Sequence, residues 1–390
     1  MNEHLFRQLV TIRRQLHQHP ELGFEEFKTT ALVQDHLLDL DIPFETIAVT
    51  GVIATLSKGK GGPVVVLRAD MDALPVVEDT GLPFSSAHER VMHACGHDIH
   101  TTMLLGAAYV LKEQDFNGTV KLVFQPSEEG TARSPEKGKS GGQMIIESGK
   151  LNDAKAALGL HVHPLLPVGV LGYRNGEALA NVSNFFIHIN GKGGHAGSLE
   201  HVTDPVLIGS QLIVAAQSII SHTATIEPAV LAVTNIAIKG EPSHNVIPNG
   251  VLLQGSLRAL NIDTYNRIVE KLRALIRGME ISYSCSIELE FTAYYPSLLN
   301  DAGMHQALAP AQEQVFGREK IQEVSGQLIA EDFSFYSRLM PSQFYFLGAQ
   351  HNGNTDFFLH HPKVIFNEDC IKLGVPFLVN GAMDMIRHFS

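Results

Sequence analysis

The sequence predicts an α/β fold, a mixed sheet flanked by helices, with a second α+β unit inserted into it. Three observations carry that expectation. Strand-like and helix-like segments alternate through residues 1–180, Pro63–Ala69 is almost continuously apolar like a strand buried on both faces, and from residue 181 the order changes to β-α-β-β-α-β. At 390 residues the chain exceeds what one hydrophobic core organises, so two domains are expected, 1–180 with 294–390, and 181–293.

Apolar residues at Leu5, Leu9, Ile12 and Leu16 keep helical spacing within Glu3–Gln18, and residues 27–40 read as a second amphipathic helix. Short β-rich runs follow at Val52–Leu56 and Pro63–Ala69, split by the turn-forming SKGKGG. A helix over Ile99–Leu111, a strand over Thr119–Phe124, a helix over Gly142–Ser148 and a strand over Ala156–Val162 complete the first alternation. The inserted unit reads as strand Ser183–Asn190, helix Pro205–Ser221, strands Val230–Ile238 and Val251–Arg258, helix Asp263–Arg277 and strand Ser282–Phe291, the order of a ferredoxin-like unit. The remainder returns to mixed strand and helix and ends in a helix near Asp369–His388, while TARSPEKGKS, residues 131–140, reads as a polar loop.

Hydrophobic residues make up 44% and charged residues 18%, the balance of a folded globular protein. A formal net charge of -12 without any Lys/Arg block opposes a phosphate backbone, so no nucleic-acid partner is expected. No basic-then-apolar leader is visible, and Val206–Ile220 and Ala229–Ile238 read as too short or too polar to span a bilayer. The expectation is a soluble, cytoplasmic protein with no membrane partner. Cys95, Cys285 and Cys370 include no CxxC pair, which fits a reducing compartment, and 20 histidines direct attention to metals.

Four segments offer metal-binding side chains. In MHACGHDIH, Cys95 and His97 flank Gly96 at the mouth of a helix, and a thiolate and an imidazole so placed can reach one borderline metal ion. A buried cysteine near solvated histidines explains that segment equally well. FQPSEEG ends a strand with Glu128 and Glu129; in a strand these face opposite ways, one toward a metal and the other into the cavity as a base, although such pairs are more often solvated surface charge. GLHVHP places His161 and His163 at another strand end, where active sites of open α/β sheets lie, and LHHPKVIFNED adds His360 and His361. Each histidine pair alone reads as surface; four such segments together point to a metal.

HPELGFEE, RADMDALP, MHACGHD, FQPSEEG, GLHVHP, GKGGHAG, HNVIP and EDFSFY recur in this order along nearly the whole chain. Together they strongly resemble the peptidase M20 family, in the amidohydrolase branch of hippurate hydrolases, indole-acetyl-amino-acid hydrolases and N-acetyl-amino-acid deacetylases. The resemblance implies a metal-dependent exopeptidase-like catalytic domain holding two divalent ions, zinc or manganese with cobalt or nickel also admitted, and an inserted lid domain through which two subunits pair as a homodimer. It assigns Cys95, His97, Glu129, His161 and His360 as ligands, Glu128 as general base, and His195 as a lid histidine reaching the partner's active site. Asn245 and Arg258 become candidates for holding a substrate carboxylate, and Asp70, Asp72 and Asp98 for orienting ligands.

The implied reaction is hydrolysis of a small N-acyl amino acid, N-acetyl, N-benzoyl or indole-acyl, to a carboxylic acid and a free amino acid. A dipeptidase or carboxypeptidase would use the same two-metal site. A thiol hydrolase acting through Cys95 and a non-catalytic binding protein are the rivals from other classes. Two departures from the family pattern, TARSPEKGKS after the Glu pair and Leu199–Glu200 where Pro-His is frequent, leave the ligands intact and bear on substrate preference.

Overall fold

Long apolar strands need cover on both faces, and the computed structural model, which describes residues 1–130, 133–136, 138–223 and 227–390, shows how that cover is supplied. Thr131, Ala132 and Lys137 of the TARSPEKGKS segment lie outside the described residues. The chain forms two compact units, one of Met1–Gly176, Leu299–Ser325 and Asp332–Ser390, the other of Glu177–Leu298 and Gly326–Glu331.

The first unit opens with helices α1 (Glu3–Gln18) and α2 (Phe27–Asp39), then β1 (Phe44–Ile47), β2 (Gly51–Lys58) and β3 (Val64–Asp70). Next come α3 (His97–Lys112), β4 (Gly118–Gln125), α4 (Gly141–Glu147), β5 (Ala154–His163) and β6 (Leu171–Tyr173). A short strand β7 (Gly176–Leu179) leads into the second unit, with β8 (Asn181–Asn190), β9 (Gly194–His195), α5 (Pro205–Thr223), β10 (Ala229–Ile238), β11 (Val246–Ile247), β12 (Gly250–Ala259), α6 (Ile262–Tyr283) and β13 (Ser286–Tyr295). After β14 (Leu298–Asn300) the chain adds α7 (Ala302–Ala307), α8 (Ala309–Phe316), β15 (Ile321–Glu323), α9 (Phe333–Leu339), β16 (Ser342–Gly348) and α10 (Ile371–Phe389).

In the first unit the strands run in the order β1-β2-β4-β3-β5-β16-β6-β15. β4, β3, β5 and β16 are mutually parallel, β1 with β2, β2 with β4 and β6 with β16 pair antiparallel, and β15 runs parallel to β6, so the sheet is mixed. Val65, Val66 and Leu67 on β3 are all fully buried, as a strand covered on both faces requires. α3 and α10 pack on β3 and β5, with α1 against α3; α4 and α9 pack on each other and on the strands. The parallel strands therefore end on one edge, after Asp70, Gln125, His163 and Gly348.

The second unit is a four-stranded antiparallel sheet ordered β10-β12-β8-β13, packed by α5 and α6. Burial alternates along β12, as it does in a sheet with one face on the core. By length and composition α5 could cross a bilayer, contrary to the expectation that Val206–Ile220 is too short. Its Ile208, Leu212, Ala216 and Ile219 instead join this unit's core.

One helix residue departs from its expected place. Asp98, expected to orient a ligand, turns toward α1, where its carboxylate lies 2.9 Å from Arg13 Nε and 2.8 Å from His17 Nδ1. One step along a helix rotates the side chain by about 100°, so Asp98 cannot share the direction of its neighbour His97. Burial opposes its charge, but Arg13 and then His17 hold the Asp98 carboxyl well below the usual carboxylate range. A carboxyl with a depressed folded value gives stability that is complete above its unfolded value, about pH 4, and is lost as pH falls through the folded value. Asp98→Asn is expected to cost about 3–5 kcal/mol in denaturant unfolding at neutral pH, because Arg13 stays buried with its charge poorly matched. An unchanged midpoint would show that Glu368, 3.4 Å from Arg13, suffices alone.

Candidate metal centre

The edge formed by the parallel strand ends carries the side chains that sequence reasoning singled out. After β3 the chain crosses to the start of α3 through Cys95, Gly96 and His97. Gly96 has φ +90°, and a Cβ there would stand 2.3 Å from Val162 Cγ2, so only glycine allows this close crossing. The turn brings Cys95 Sγ to 3.3 Å from Nε2 of His161, near the end of β5. His161 Nδ1–H donates to Val162 O at 2.7 Å, which leaves Nε2 as the nitrogen with a lone pair facing the sulfur. His163, two residues on, shares that strand face and packs edge-on against Phe346 and Phe358.

Glu128 and Glu129 follow β4 in a turn, not in the strand, and so do not diverge. One oxygen of each lies with a ring nitrogen of His97 in a group whose atoms are all within 4.8 Å of one another. The turn begins at Ser127, whose φ of +46° is left-handed. Glu129 Oε1 is 3.1 Å from Nε2 of His360 and 3.9 Å from Nε2 of His97. His360 also has a left-handed backbone, φ +67°, fixed by its N–H donating to Ala94 O at 2.9 Å. Its neighbour His361 stacks on Phe357 instead. Cys95, His97 and His161 form one close group and Cys95, Glu129 and His360 another, each within 4.8 Å, so one sulfur is common to both.

A surrounding set of hydrogen bonds aims these groups. Asp72 accepts from His97 Nδ1 at 3.2 Å through one oxygen and from the Glu129 N–H at 2.9 Å through the other. Asp70 accepts from His100 Nδ1 at 2.6 Å, while His100 Nε2 accepts the Val162 N–H at 2.9 Å, so both ring nitrogens are spent on aligning β5 and α3. The sequence reading passed over His100, although three residues after His97 on a helix is the same face. It also missed Arg68, buried in β3, which donates to Asp70 at 2.6 Å, Gln125 at 2.9 Å and Asp332 at 2.7 Å. The Asp332 N–H in turn donates to Glu128 Oε1 at 3.3 Å.

The electrostatics suit a cation. Although burial opposes the charge, Asp70 and then Asp72 push His97 up to about 10. Its Nε2 is nonetheless a buried nitrogen with no hydrogen-bond partner among the described residues, the condition of a metal ligand. Burial, then the charge of Glu129 and Glu128, push the Cys95 thiol well up, so a bound cation is what would hold it as thiolate. His161 is driven well below the ordinary histidine value, first by burial and then by His100, which keeps it neutral as a ligand must be.

The remaining candidates lie in the second unit. His195, on β9, is exposed, and its Nδ1 accepts the Gly197 N–H at 3.0 Å, so in the neutral ring Nε2 carries the proton. Asn245 is its neighbour through β11: its carbonyl accepts the Ala196 N–H at 3.0 Å. Arg258 sits toward the opposite end of β12, with Nη1–H donating to Leu328 O at 2.9 Å. Eight residues of strand separate Arg258 from Gly250, roughly 26 Å, so Arg258 and Asn245 of one chain cannot hold the same small carboxylate.

Residues 66–383 match the family described as Peptidase family M20/M25/M40. The chain is 37% identical over 388 residues to an N-acetyl-L-cysteine deacetylase of Bacillus subtilis, covering 98% of this chain and 89% of that protein. It is 36% identical over 387 residues to an IAA-amino acid hydrolase of Arabidopsis thaliana, covering 97% and 86%. Among solved structures it is similar to a dinuclear metal binding peptidase of the M20 family from Bacillus subtilis, with TM-score 0.85, 30% identity and 99% of each chain covered. With the family pattern matched over most of its length and a thiol, imidazoles and carboxylates gathered at one sheet edge, this chain belongs to peptidase family M20/M25/M40.

Proposed function

We propose that the chain is a metal-dependent amidohydrolase that cleaves small N-acyl amino acids, N-acetyl, N-benzoyl or indole-acyl, into a carboxylic acid and a free amino acid in the cytoplasm. The observation that carries this reading is the pairing of a second carboxylate, Glu128, with the donor groups of Cys95, His97, Glu129, His161 and His360. The relatives named for N-acetylcysteine and IAA-amino acids act within that substrate class.

Cys95, His97, Glu129, His161 and His360 would hold two divalent ions, zinc or manganese with cobalt or nickel also suited, which when bound polarise the amide carbonyl and acidify a water. Glu128 accepts the proton released as that water adds to the carbonyl carbon. It returns the proton to the amide nitrogen as the C–N bond breaks, so that the amine leaves neutral. Nε2–H of His195 donates to the carbonyl oxygen as negative charge develops there. Arg258 can grip the substrate carboxylate with a two-pronged hydrogen bond, while Asn245 and His195 come to the same site from the partner of a homodimer. The second unit is then both lid and dimerisation surface. Supporting this, β10 is an edge strand with Val230 and Ile236 exposed, and α5 exposes Leu207 and Val214.

Glu128→Gln is expected to lower kcat on an N-acyl amino acid by about 10²–10⁴-fold while metal per chain stays at the wild-type level. Glu129→Ala and His161→Ala should lose metal and rate together, read by metal analysis beside kinetics. Full metal content in Glu129→Ala would remove it from the ligand set. Chelation should abolish turnover and added metal restore it; activity that survives chelation would favour a thiol mechanism through Cys95.

Subunit sharing has its own test. His195→Ala and Glu128→Ala chains should each be nearly inactive, yet a mixed dimer contains one site with both residues intact. After verified exchange of equal amounts, about a quarter of wild-type sites should work, since half the dimers are mixed and each has one good site. No recovery would place His195 in its own subunit's site or outside catalysis.

A further inference from the structure

The segment HPELGFEE contributes no ligand and no base, yet one of its carboxyls lies fully buried beneath the turn that carries both Glu128 and Glu129. Glu26 is 0% exposed. Its Oε1 accepts the Ser127 N–H at 2.9 Å, and its Oε2 pairs with Thr50 Oγ1 at 2.5 Å. Glu26 is not spent on capping α2, because both Lys28 and Thr29 N–H groups donate to Glu21 instead. The carbonyl of Glu26 accepts the Thr30 N–H at 2.9 Å, which fixes its own backbone at the start of α2.

Ser127 is the residue that needs holding. A serine at φ +46° is in a region costly for any side chain, of order 1 kcal/mol or more, and persists only where surroundings impose it. Three contacts impose it from different sides. Ser127 N–H goes to Glu26, Ser127 O accepts the Gly141 N–H at 3.1 Å, and Ser127 Oγ donates to Gly130 O at 2.6 Å. The approach of the two segments is so close that a Cβ on Gly23 would stand 2.4 Å from Ser127 Oγ. Glycine at 23 and a buried acceptor at 26 are thus two halves of one clamp.

We propose that Glu26 is a positioning residue for catalysis, whose carboxyl oxygen holds the Ser127 N–H so that the inverted turn presents Glu128 as base and Glu129 as ligand together. This rests on the roles assigned above to those two glutamates. Relaxing Ser127 toward right-handed backbone would swing the following peptide planes, and the two carboxylates would leave the donor group as a unit. Near neutral pH the clamp is held as the acid: burial foremost, and then the charge of Asp72, push the Glu26 carboxyl up to about 8. A glutamine amide imitates that state, with its carbonyl accepting from Ser127 and its N–H directed to Thr50 Oγ1.

The test compares Glu26→Gln, Glu26→Ala and Glu26→Asp in the metal-loaded protein, measuring kcat, KM and metal affinity by chelator competition. Glu26→Gln is expected to stay within about threefold of wild type in all three. Glu26→Ala, and Glu26→Asp with its shorter reach, are expected to lose at least tenfold in kcat and tenfold in metal affinity with KM nearly unchanged. Adding Ser127→Gly to Glu26→Ala should recover part of both losses, because glycine adopts the left-handed turn without help. If Glu26→Ala fails to fold, the contrast between Gln and Asp decides. Wild-type kcat and metal affinity in Glu26→Asp would overturn the proposal, as would Glu26→Gln impaired as deeply as Glu26→Asp. A wild-type protein that binds metal but hydrolyses no N-acyl amino acid would instead overturn the substrate assignment, and the metal-affinity series would still judge the clamp.

Discussion

Burying negative charge at the edge of a sheet is the constraint around which the first unit is arranged. Asp70, Asp72 and Glu128 are nearly inaccessible to water and Glu129 is only slightly exposed, so each must be answered by a cation or by several hydrogen bonds. Arg68 answers Asp70 and Asp332 from within β3, at the cost of placing a guanidinium in an otherwise apolar strand. What Arg68 leaves over falls on His97, whose ring is driven to hold a proton far above the histidine range. A divalent ion and that proton compete for one nitrogen, so the fold and the donor set solve the same electrostatic problem in two protonation states. That also explains why so few of the polar groups here face solvent.

Much of this was legible in the sequence because it rests on local rules. α1 spans the residues that its apolar spacing indicates, and the buried β3 reads directly from PVVVLRA. The chemistry-bearing segments stand out because four of them carry thiol, imidazole or carboxylate groups, and strand ends are where sites of open α/β sheets lie. What escaped depended on direction. Asp98 adjoins His97 in sequence but points to Arg13, since neighbouring helix residues diverge. Glu128 and Glu129 converge because a serine adopts a left-handed backbone that only glycine would have advertised. His100 and Arg68 were invisible as partners because their acceptors, Asp70 and Asp332, are brought near only by the completed sheet. Strand β16, SQFYFLG, is buried throughout, and so short an apolar run carries no periodicity that separates it from a buried helix segment.

The second unit shows the limit of listing candidates without geometry. Asn245 and Arg258 share a unit and a plausible taste for carboxylates, yet they stand toward opposite ends of β12. Sequence placed them in one group because it carries no distance along a strand. Two residues that far apart cannot both meet one small molecule within a single chain, and that separation is the chemical ground for the subunit sharing proposed above.

The position of β16 sets a timetable for synthesis. β5 is completed at His163, but its neighbour on the far side is β16, which lies between β5 and β6 and arrives only with Ser342–Gly348. His360, tied to Ala94, comes later still. On a ribosome, most of the chain must wait with an open sheet edge and four acidic side chains that have no complete cage around them. A partly made chain therefore lacks the complete donor set that the finished one gathers. The donor set closes late in synthesis, when the strand between β5 and β6 enters and the imidazole of His360 follows it.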